Sequence, residues 1–429
     1  MKATNVLGMV KIEGHPDPLA LADRYSMQIL DHATGRPETV RFAFCQAGAV
    51  FLPPLCYRGE VENPRSAADF SRYFPPTDLG KLRPYQLRAL EEWLRLPAGC
   101  LQSAAGSGKT VVGAYLIASR GVVAVVIVPT VDIANQWRDA FEKHIGIKAG
   151  VIGGGSDEVG EAVTIVTFQS AVKRPELLGS AGLVLVDEAH RTPCRSIRDI
   201  LALSPAVYRY GCTATPWRSD GLHRAMYWLL GGVKVEISRE EVGDHVLPVT
   251  VREVQTGATY YEDDHNALQN LVAEDAERNG LLSDIIDDLV RDGHCVVALG
   301  SRVGQLCELE DSLTERGVAW CTIYGGTKKS DRAEYIDGVR SGAFDVLLAT
   351  YQLAAEGLDV PELSALVMLS PLGNPTKIEQ AGGRIARPCP GKLSPIIVDP
   401  RDSGGMVRGL AGKRDRVYSV LNWKKESSQ

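Results

Sequence analysis

The stretch Leu101-Gln102-Ser103-Ala104-Ala105-Gly106-Ser107-Gly108-Lys109-Thr110 decides how the chain is read. A short apolar run, Cys100-Leu101, leads into small residues and two glycines, and a helical run from Val111 to Ala118 follows. Strand, small-residue loop and helix is the order that a phosphate-binding loop requires. Gly106 and Gly108 let backbone N–H groups around Ser107 turn inward, and the new helix aims its positive end at the same anion. Lys109 then reaches the β and γ phosphates, and the Thr110 hydroxyl takes a Mg²⁺ position. The full pattern has glycine where Ser103 stands, so this loop is a variant in which a small residue suffices.

Working outward, 429 residues are too many for one core, so two or three domains are expected. The longest apolar run, Val122 to Val128, is of strand length and far below a membrane span. Nine scattered cysteines form no C-x-x-C pair, which argues against zinc and against a disulfide framework and points to a reducing, cytoplasmic setting. The net charge of −6 does not advertise a nucleic-acid binder, but it is unevenly spread. Thr256 to Asp292 holds ten acidic residues against two basic, a net of −8, whereas Arg401 to Gln429 holds seven basic against three acidic, a net of +4. The total therefore leaves room for a locally basic cleft.

Residues 1–80 read as a small accessory α+β module, a candidate DNA grip in which no chemistry is evident, with strands expected at Val6–Ile12, Thr39–Phe44 and Val50–Leu55 and a helix at Pro18–Asp31. The pair Pro75-Pro76 marks its boundary. From residue 81 the chain alternates. The apolar runs near Val122–Val128, Val163–Phe168, Leu183–Val186 and Val207–Gly211 read as strands buried on both faces. Strands alternating with helices make a doubly wound parallel sheet, whose functional residues sit at the strand carboxyl ends. Pro216–Val246 reads as irregular apart from one helix, with a hinge at Ser238–His245. A second α/β series follows, with strands at Leu247–Val254, Cys295–Gly300, Val318–Tyr324, Asp345–Ala349, Ala365–Leu369 and Pro395–Val398. Asn266–Arg291 reads as one acidic helix. The expected domains are 1–80, 81–237, 238–400 and a basic tail at 401–429.

Several polar strings carry chemistry. Gln86, in Arg83-Pro84-Tyr85-Gln86, stands 23 residues before Lys109 and offers the donors and acceptor that suit an adenine edge. Asp187-Glu188 ends an apolar strand. In phosphoryl transfer to water one carboxylate holds the metal and the other orients the water, so Asp187 is assigned to Mg²⁺ and Glu188 to the water. In the second series, Gln380-Ala381-Gly382-Gly383-Arg384-Ile385-Ala386-Arg387 is expected on a helix, with Arg384 and Arg387 on one face. Two guanidiniums facing a transferred phosphoryl are what charge stabilisation asks for. Two glycines weaken that helix by about 1 kcal/mol each, a cost that the close approach of another surface would explain.

These strings, in this order, resemble the superfamily 2 helicases and translocases over residues 81–400. The resemblance implies two tandem RecA-like domains, ATP with Mg²⁺ as cofactors and DNA as partner. It places Arg83 and Gln86 at the adenine, Gly106 through Thr110 and Gly357 at the phosphates and metal, and Asp359 at the ribose. Gln380, Arg384 and Arg387 act on the γ-phosphate beside Lys109, Asp187 and Glu188. His190, Thr213 and Thr215 couple ATP state to nucleic-acid grip. Candidate nucleic-acid contacts are Pro129, Thr130, Gly153, Gly154, Thr167, Gln169 and Arg218 in the first domain. In the second they are Ser301, Arg302, Gly325, Gly326 and Thr350. Such backbone and hydroxyl positions hold phosphates without reading sequence.

Within the superfamily, R-P-Y-Q, Thr215-Pro216-Trp217-Arg218 and the G-G-R-I-A-R string are most similar to the group of xeroderma-pigmentosum-B-type, RadD-like and phage branched-DNA helicases. Arg218-Ser219-Asp220 departs from the R-E-D string of the repair enzymes. The resemblance implies an ATP-dependent DNA helicase or translocase, monomeric and without a membrane partner, acting on forked, branched or single-stranded DNA in repair, recombination or phage replication. Single-strand-binding or recombination proteins are the candidate protein partners. An RNA helicase is the alternative, as is a DNA-stimulated ATPase that remodels protein–DNA complexes without strand separation.

Overall fold

Ala124–Val128, Val163–Thr167 and Leu183–Asp187 are runs of buried, mostly β-branched residues, and each becomes an inner strand of a parallel sheet. The computed structural model describes residues 1–30, 37–103, 106–192, 195–214, 216, 223–243, 246–352 and 360–426. The chain divides into two units, Met1–Val242 and Gly243–Gln429.

In the first unit eight strands lie in the order Ser156–Asp157, Gly150–Gly153, Val163–Thr167, Ala124–Val128, Leu183–Asp187, Tyr208–Thr213, Ala98–Ser103, Val233–Ile237. All neighbours pair in parallel except the first two. Side chains alternate across this sheet. Val184 and Val186 meet Ile200, Leu201 and Met226 on one face. Leu185 points the other way, toward Gly113 in the helix Lys109–Arg120 and the Trp137 ring in the helix Val131–Ala140. The sheet is thus covered on both sides. The strand Val233–Ile237 falls in the stretch expected to be irregular, and its signal is the alternation Val-Lys-Val-Glu-Ile, with Val235 and Ile237 buried.

The N-terminal residues form a four-stranded antiparallel sheet, Lys2–Val6, Met9–Glu13, Ala49–Leu52, Phe44–Gln46, with the helix Pro18–Asp23 against it. The expected strand Val6–Ile12 is broken by a turn at Leu7-Gly8. That turn seats on the first sheet's helix Arg195–Leu203. The Gly8 N–H donates to the Ala202 carbonyl at 2.8 Å, and a Cβ on Gly8 would stand 2.3 Å from the Leu201 carbonyl oxygen. Trp228 receives Tyr25 and Phe42 edge-on, so the module is fastened to the motor sheet by aromatic packing as well.

The second unit holds seven strands in the order Trp320–Ile323, Val346–Thr350, Val296–Gly300, Ala365–Met368, Ile396–Ser403, Thr250–Thr259, Lys424–Lys425, all paired in parallel. Val297, Leu299, Leu347 and Leu366 pack toward Ile378, Ala381 and Ile385, while Val296, Ala298, Leu348 and Val367 pack toward Leu282, Ile286 and Leu309. The fold is therefore two tandem doubly wound RecA-like α/β sheets with a small N-terminal α+β module, as expected.

In the second unit two segments differ from their expected form. Asn266–Arg291 is not one helix but His265–Ala273 and Ala276–Arg291, because Asp275 leaves the helical conformation and caps the Arg278 N–H at 3.0 Å. Residues 405–420 form a helix and Lys424–Lys425 adds to the sheet, so this stretch is built into the second unit. Part of its basic charge is paired there. Arg414 pairs with buried Asp399, and Arg401 and Lys425 share Asp415 and Glu253. Trp423 fills the space that a side chain on Gly382 would need, a Cβ there standing 2.1 Å from the indole. The approaching surface that the glycine admits is thus this same C-terminal segment.

Among the described residues no helix is long and apolar enough to cross a membrane. The described cysteines are all free.

Candidate nucleotide-binding site

Parallel pairing aligns the carboxyl ends of the inner strands. Gln102 stands level with Thr213, Cys212 with Asp187, Val186 with Ile127, and Thr167 with Val128. The loop after Ser103 therefore lies beside Thr213 and close to Asp187-Glu188, although these are some eighty to a hundred residues away in sequence.

The loop is held from inside. The Ser103 and Ser107 hydroxyls contact each other at 2.5 Å, and both are buried. Gly108 adopts φ +89° and caps the helix Lys109–Arg120, so the first turn's N–H groups face the loop mouth. The Lys109 ammonium donates to the Ser103 carbonyl at 2.8 Å, spanning the loop where phosphate oxygens would take its place. Thr110 is half-buried in the same first turn.

Gln86 is nearly buried, and its amide already serves two backbones. Its Oε1 accepts from the Arg83 N–H at 3.1 Å and its Nε2 donates to the Ser107 carbonyl at 3.0 Å. A Cβ on Gly108 would stand 2.3 Å from that nitrogen. The amide is left with one N–H and one lone pair for an adenine edge. Tyr85, which the sequence reading passed over, also donates to the Ser107 carbonyl, at 3.3 Å, and receives Arg83 Nη1 at 2.9 Å.

The acidic pair is set deeper. Asp187 Oδ1 accepts the Glu188 N–H at 2.8 Å and Oδ2 accepts the Trp137 indole N–H at 2.8 Å. Burial, then the Glu188 charge, pushes the Asp187 carboxyl up to about 6, and Trp137 and Lys109 pull it back. A carboxylate desolvated beside a like charge is a site for a cation. A divalent ion held by Asp187 and Thr110 would fit and would reverse that shift. Among the described residues no cluster of three or more His, Cys, Asp or Glu could hold a metal alone, so phosphate oxygens would have to complete the sphere. Burial and Asp187 also raise the neighbouring Cys212 thiol well above its ordinary range.

Glu188 takes φ +51°, a left-handed conformation uncommon for a residue other than glycine. His190 Nδ1 lies 3.3 Å from Glu188 Oε2 and 3.3 Å from Thr213 Oγ1. One imidazole thus joins the acidic pair to the adjacent strand end. Thr215 and Arg218 lie outside the described residues, as do Gly357 and Asp359.

In the second unit, Gln380 and Arg384 are half-buried on the helix Pro375–Ile385, whose other face buries Ile378, Ala381 and Ile385. The helix ends at Ile385, so Arg387 sits just past its end rather than on it. The Lys392 ammonium donates to the Arg387 and Pro361 carbonyls, each at 2.7 Å.

Of the candidate nucleic-acid contacts in the first unit, Pro129 follows the strand Ala124–Val128 and Gly153 ends the strand Gly150–Gly153, with Gly154 next at φ +60°. The Thr130 and Thr167 hydroxyls cap helices, accepting from Ile133 and Ser170 N–H groups at 3.4 and 3.3 Å, while Gln169 is exposed. In the second unit Ser301, Arg302, Gly325 and Thr350 come together around one cavity of about 350 Å³. Gly326 follows Gly325, with Tyr324 against it.

A glycine-bounded loop opening a helix, an adjacent acidic pair whose Asp187 is buried, and a second parallel sheet of the same kind are the build of an ATP-hydrolysing molecular motor. Residues 79–218 match the family of the type III restriction enzyme res subunit, and residues 278–389 match the helicase conserved C-terminal domain. The DNA 3'-5' translocase XPB2 of Sulfurisphaera tokodaii is 26% identical over 372 residues, 76% of this chain and 83% of that protein. A probable helicase of Escherichia phage T5 is 30% identical over 363 residues, 82% of this chain and 79% of that protein. Saccharomyces cerevisiae Dbp5 bound to RNA and ADP BeF3 shares the fold, with a TM-score of 0.56 at 16% identity, over 81% of this chain and 94% of that one. The chain belongs to the superfamily 2 helicases, in the group of the XPB-type and phage enzymes.

Proposed function

We propose that this chain is an ATP-dependent DNA translocase that unwinds or remodels forked and branched DNA. The observation that supports it most is the line Lys109, Asp187-Glu188, His190, Thr213 along one sheet edge. In this reading phosphate binding, metal binding and a transmitting histidine share one row of strand ends.

In this reading Lys109 and the turned N–H groups of Gly106–Gly108 hold the β and γ phosphates, and Gln86 with Arg83 holds the adenine. Thr110 and Asp187 hold Mg²⁺, which supplies charge neutralisation on the phosphates. Glu188 orients the attacking water and takes its proton. Arg384 and Arg387 stabilise the charge on the transferred group, and Gly357 and Asp359 contribute at the phosphate and ribose. His190 and Thr213 pass the change at Glu188 toward the nucleic-acid grip, with Thr215 continuing that path to Arg218 in the grip. Pro129, Thr130, Gly153, Gly154, Thr167 and Gln169 form one half of the grip. Ser301, Arg302, Gly325, Gly326 and Thr350 form the other.

The test is strand displacement on a fork, a Holliday junction, a plain duplex and an RNA–DNA hybrid, with Lys109→Ala as the inactive control. Displacement on fork or junction above plain duplex is expected. Preference for the hybrid or for RNA would make it an RNA helicase, and DNA-stimulated ATP turnover without displacement would make it a remodeller.

A further inference from the structure

The end of the first sheet remote from the phosphate loop carries a second built feature. An open cavity of about 460 Å³ lies between the N-terminal module, which contributes Tyr25 and Arg58, and the surroundings of Ala98, which contribute Tyr227, Trp228 and Lys234. Ala98 begins the strand whose far end, Ser103, leads into the phosphate loop. Five residue steps at roughly 3.3 Å put the two sites about 17 Å apart, so this cavity is not the ATP site.

Its charge is one-sided. The charged residues lining it are both cations, Arg58 and Lys234, with no carboxylate among them. Both are exposed, and neither has a hydrogen bond or ion pair among the described residues.

Two glycines outside the lining set the positions of two of its side chains. Gly232 has φ +71°, and a Cβ there would stand 2.1 Å from the Tyr227 ring, so the ring lies directly on glycine backbone. The Tyr227 side of this shelf is open, with the residue 43% exposed. Gly99 has φ +149°, and a Cβ there would stand 2.6 Å from Lys234 Cγ, so the lysine stem is laid along the strand. Trp228, edge-on to Tyr25 at 5.4 Å, fixes the wall that the module supplies.

We propose that this cavity is a second nucleic-acid contact, in which Arg58 and Lys234 take backbone phosphates and a base stacks on Tyr227. An anion joined to a flat aromatic ring is the ligand that unmatched cations beside an exposed ring face select. A free nucleotide has the same chemistry, but pockets for small ligands bury most of their guest, whereas these three side chains are all exposed. A strand passing through the opening fits better. The inference rests on the DNA reading above and adds that the N-terminal module and the far end of the sheet grip DNA together.

The test is fluorescence anisotropy of a labelled single strand and a labelled fork without ATP, with AMP and ATP as competitors. Arg58→Ser with Lys234→Ser is expected to weaken strand binding about 10-fold and to reduce the log–log salt slope by about 1 to 2. Tyr227→Ala is expected to weaken it by roughly 10-fold, with Tyr227→Phe close to wild type because the ring remains. Basal ATP turnover without DNA stays unchanged in all of them, which shows that the variants are folded. Unchanged affinity and salt slope in the variants would overturn the proposal, as would loss of nucleotide binding alone. If the wild type itself binds no DNA, the functional reading falls; if it binds and the variants match it, only this cavity does.

Discussion

The Trp137 indole N–H donates to Asp187 Oδ2 at 2.8 Å, and both residues are buried. The indole is itself admitted by Gly113, where a Cβ would stand 2.5 Å from the ring. Helix, indole and carboxylate thus form a stack that fixes one Asp187 oxygen and leaves the orientation of the other determined. Outer groups of this kind set metal affinity without touching the metal. Trp137→Phe keeps the packing and removes the donor, so the Mg²⁺ concentration for half-maximal ATP turnover is expected to rise by about 10-fold, with little change at saturating Mg²⁺. Titrating ATPase activity against Mg²⁺ measures this directly.

Arg387 is placed by its backbone, the half-buried side chain leaving from just past the helix end. Arg387→Ala is expected to leave ATP binding near wild type while slowing hydrolysis by roughly 10³-fold, the scale of a transition-state arginine. Equilibrium binding of a labelled ATP analogue beside single-turnover hydrolysis separates the two. Equal loss of both would remove the transition-state role.

The parts of this protein that the sequence discloses are those whose geometry is local. Gly106–Thr110 shape a loop through their own backbone preferences, and Asp187-Glu188 closes an apolar run, so both can be read without knowing their neighbours. Trp137 could not be read this way. It sits on an ordinary amphipathic helix, and its role exists only because parallel pairing brings Asp187, fifty residues on, beneath it. Charge counts have the same limit: the basic C-terminal stretch does not disclose in sequence that Arg401, Arg414 and Lys425 are paired with Asp399, Asp415 and Glu253 within the fold. The strand Val233–Ile237 was legible through its alternation and was hidden by the irregular sequence around it.

Gly382 gives the second unit a check on its own architecture. Gly382→Ala drives a methyl group into the Trp423 ring, which is packed with Tyr418 in the core. Overpacking of this kind costs about 1–3 kcal/mol, despite the gain in helix propensity. Urea denaturation of Gly382→Ala, Trp423→Leu and the double variant forms a cycle in which the double variant is expected to recover much of the loss. Additive losses would show that the two residues do not share the space.

Lys392 ties the chain after that helix to Pro361, and it does so with a charge that the site tolerates poorly. Burial, with Arg387 nearby adding to it, lowers the ammonium from the ordinary 10.5 to about 8, and Cys389, Cys295 and Glu362 only partly oppose this. As pH rises through 8 the folded enzyme loses the ammonium that holds the Arg387 carbonyl, so kcat is expected to fall with a midpoint near 8 while the KM for ATP stays level. Stability moves the opposite way. Because the folded value lies below the unfolded one, the unfolded chain binds more protons between about 8 and 10.5, and this group's contribution to stability improves across that window. Lys392→Arg stays charged throughout and should lose the alkaline limb of kcat. A limb that persists in that variant would assign the titration to another group.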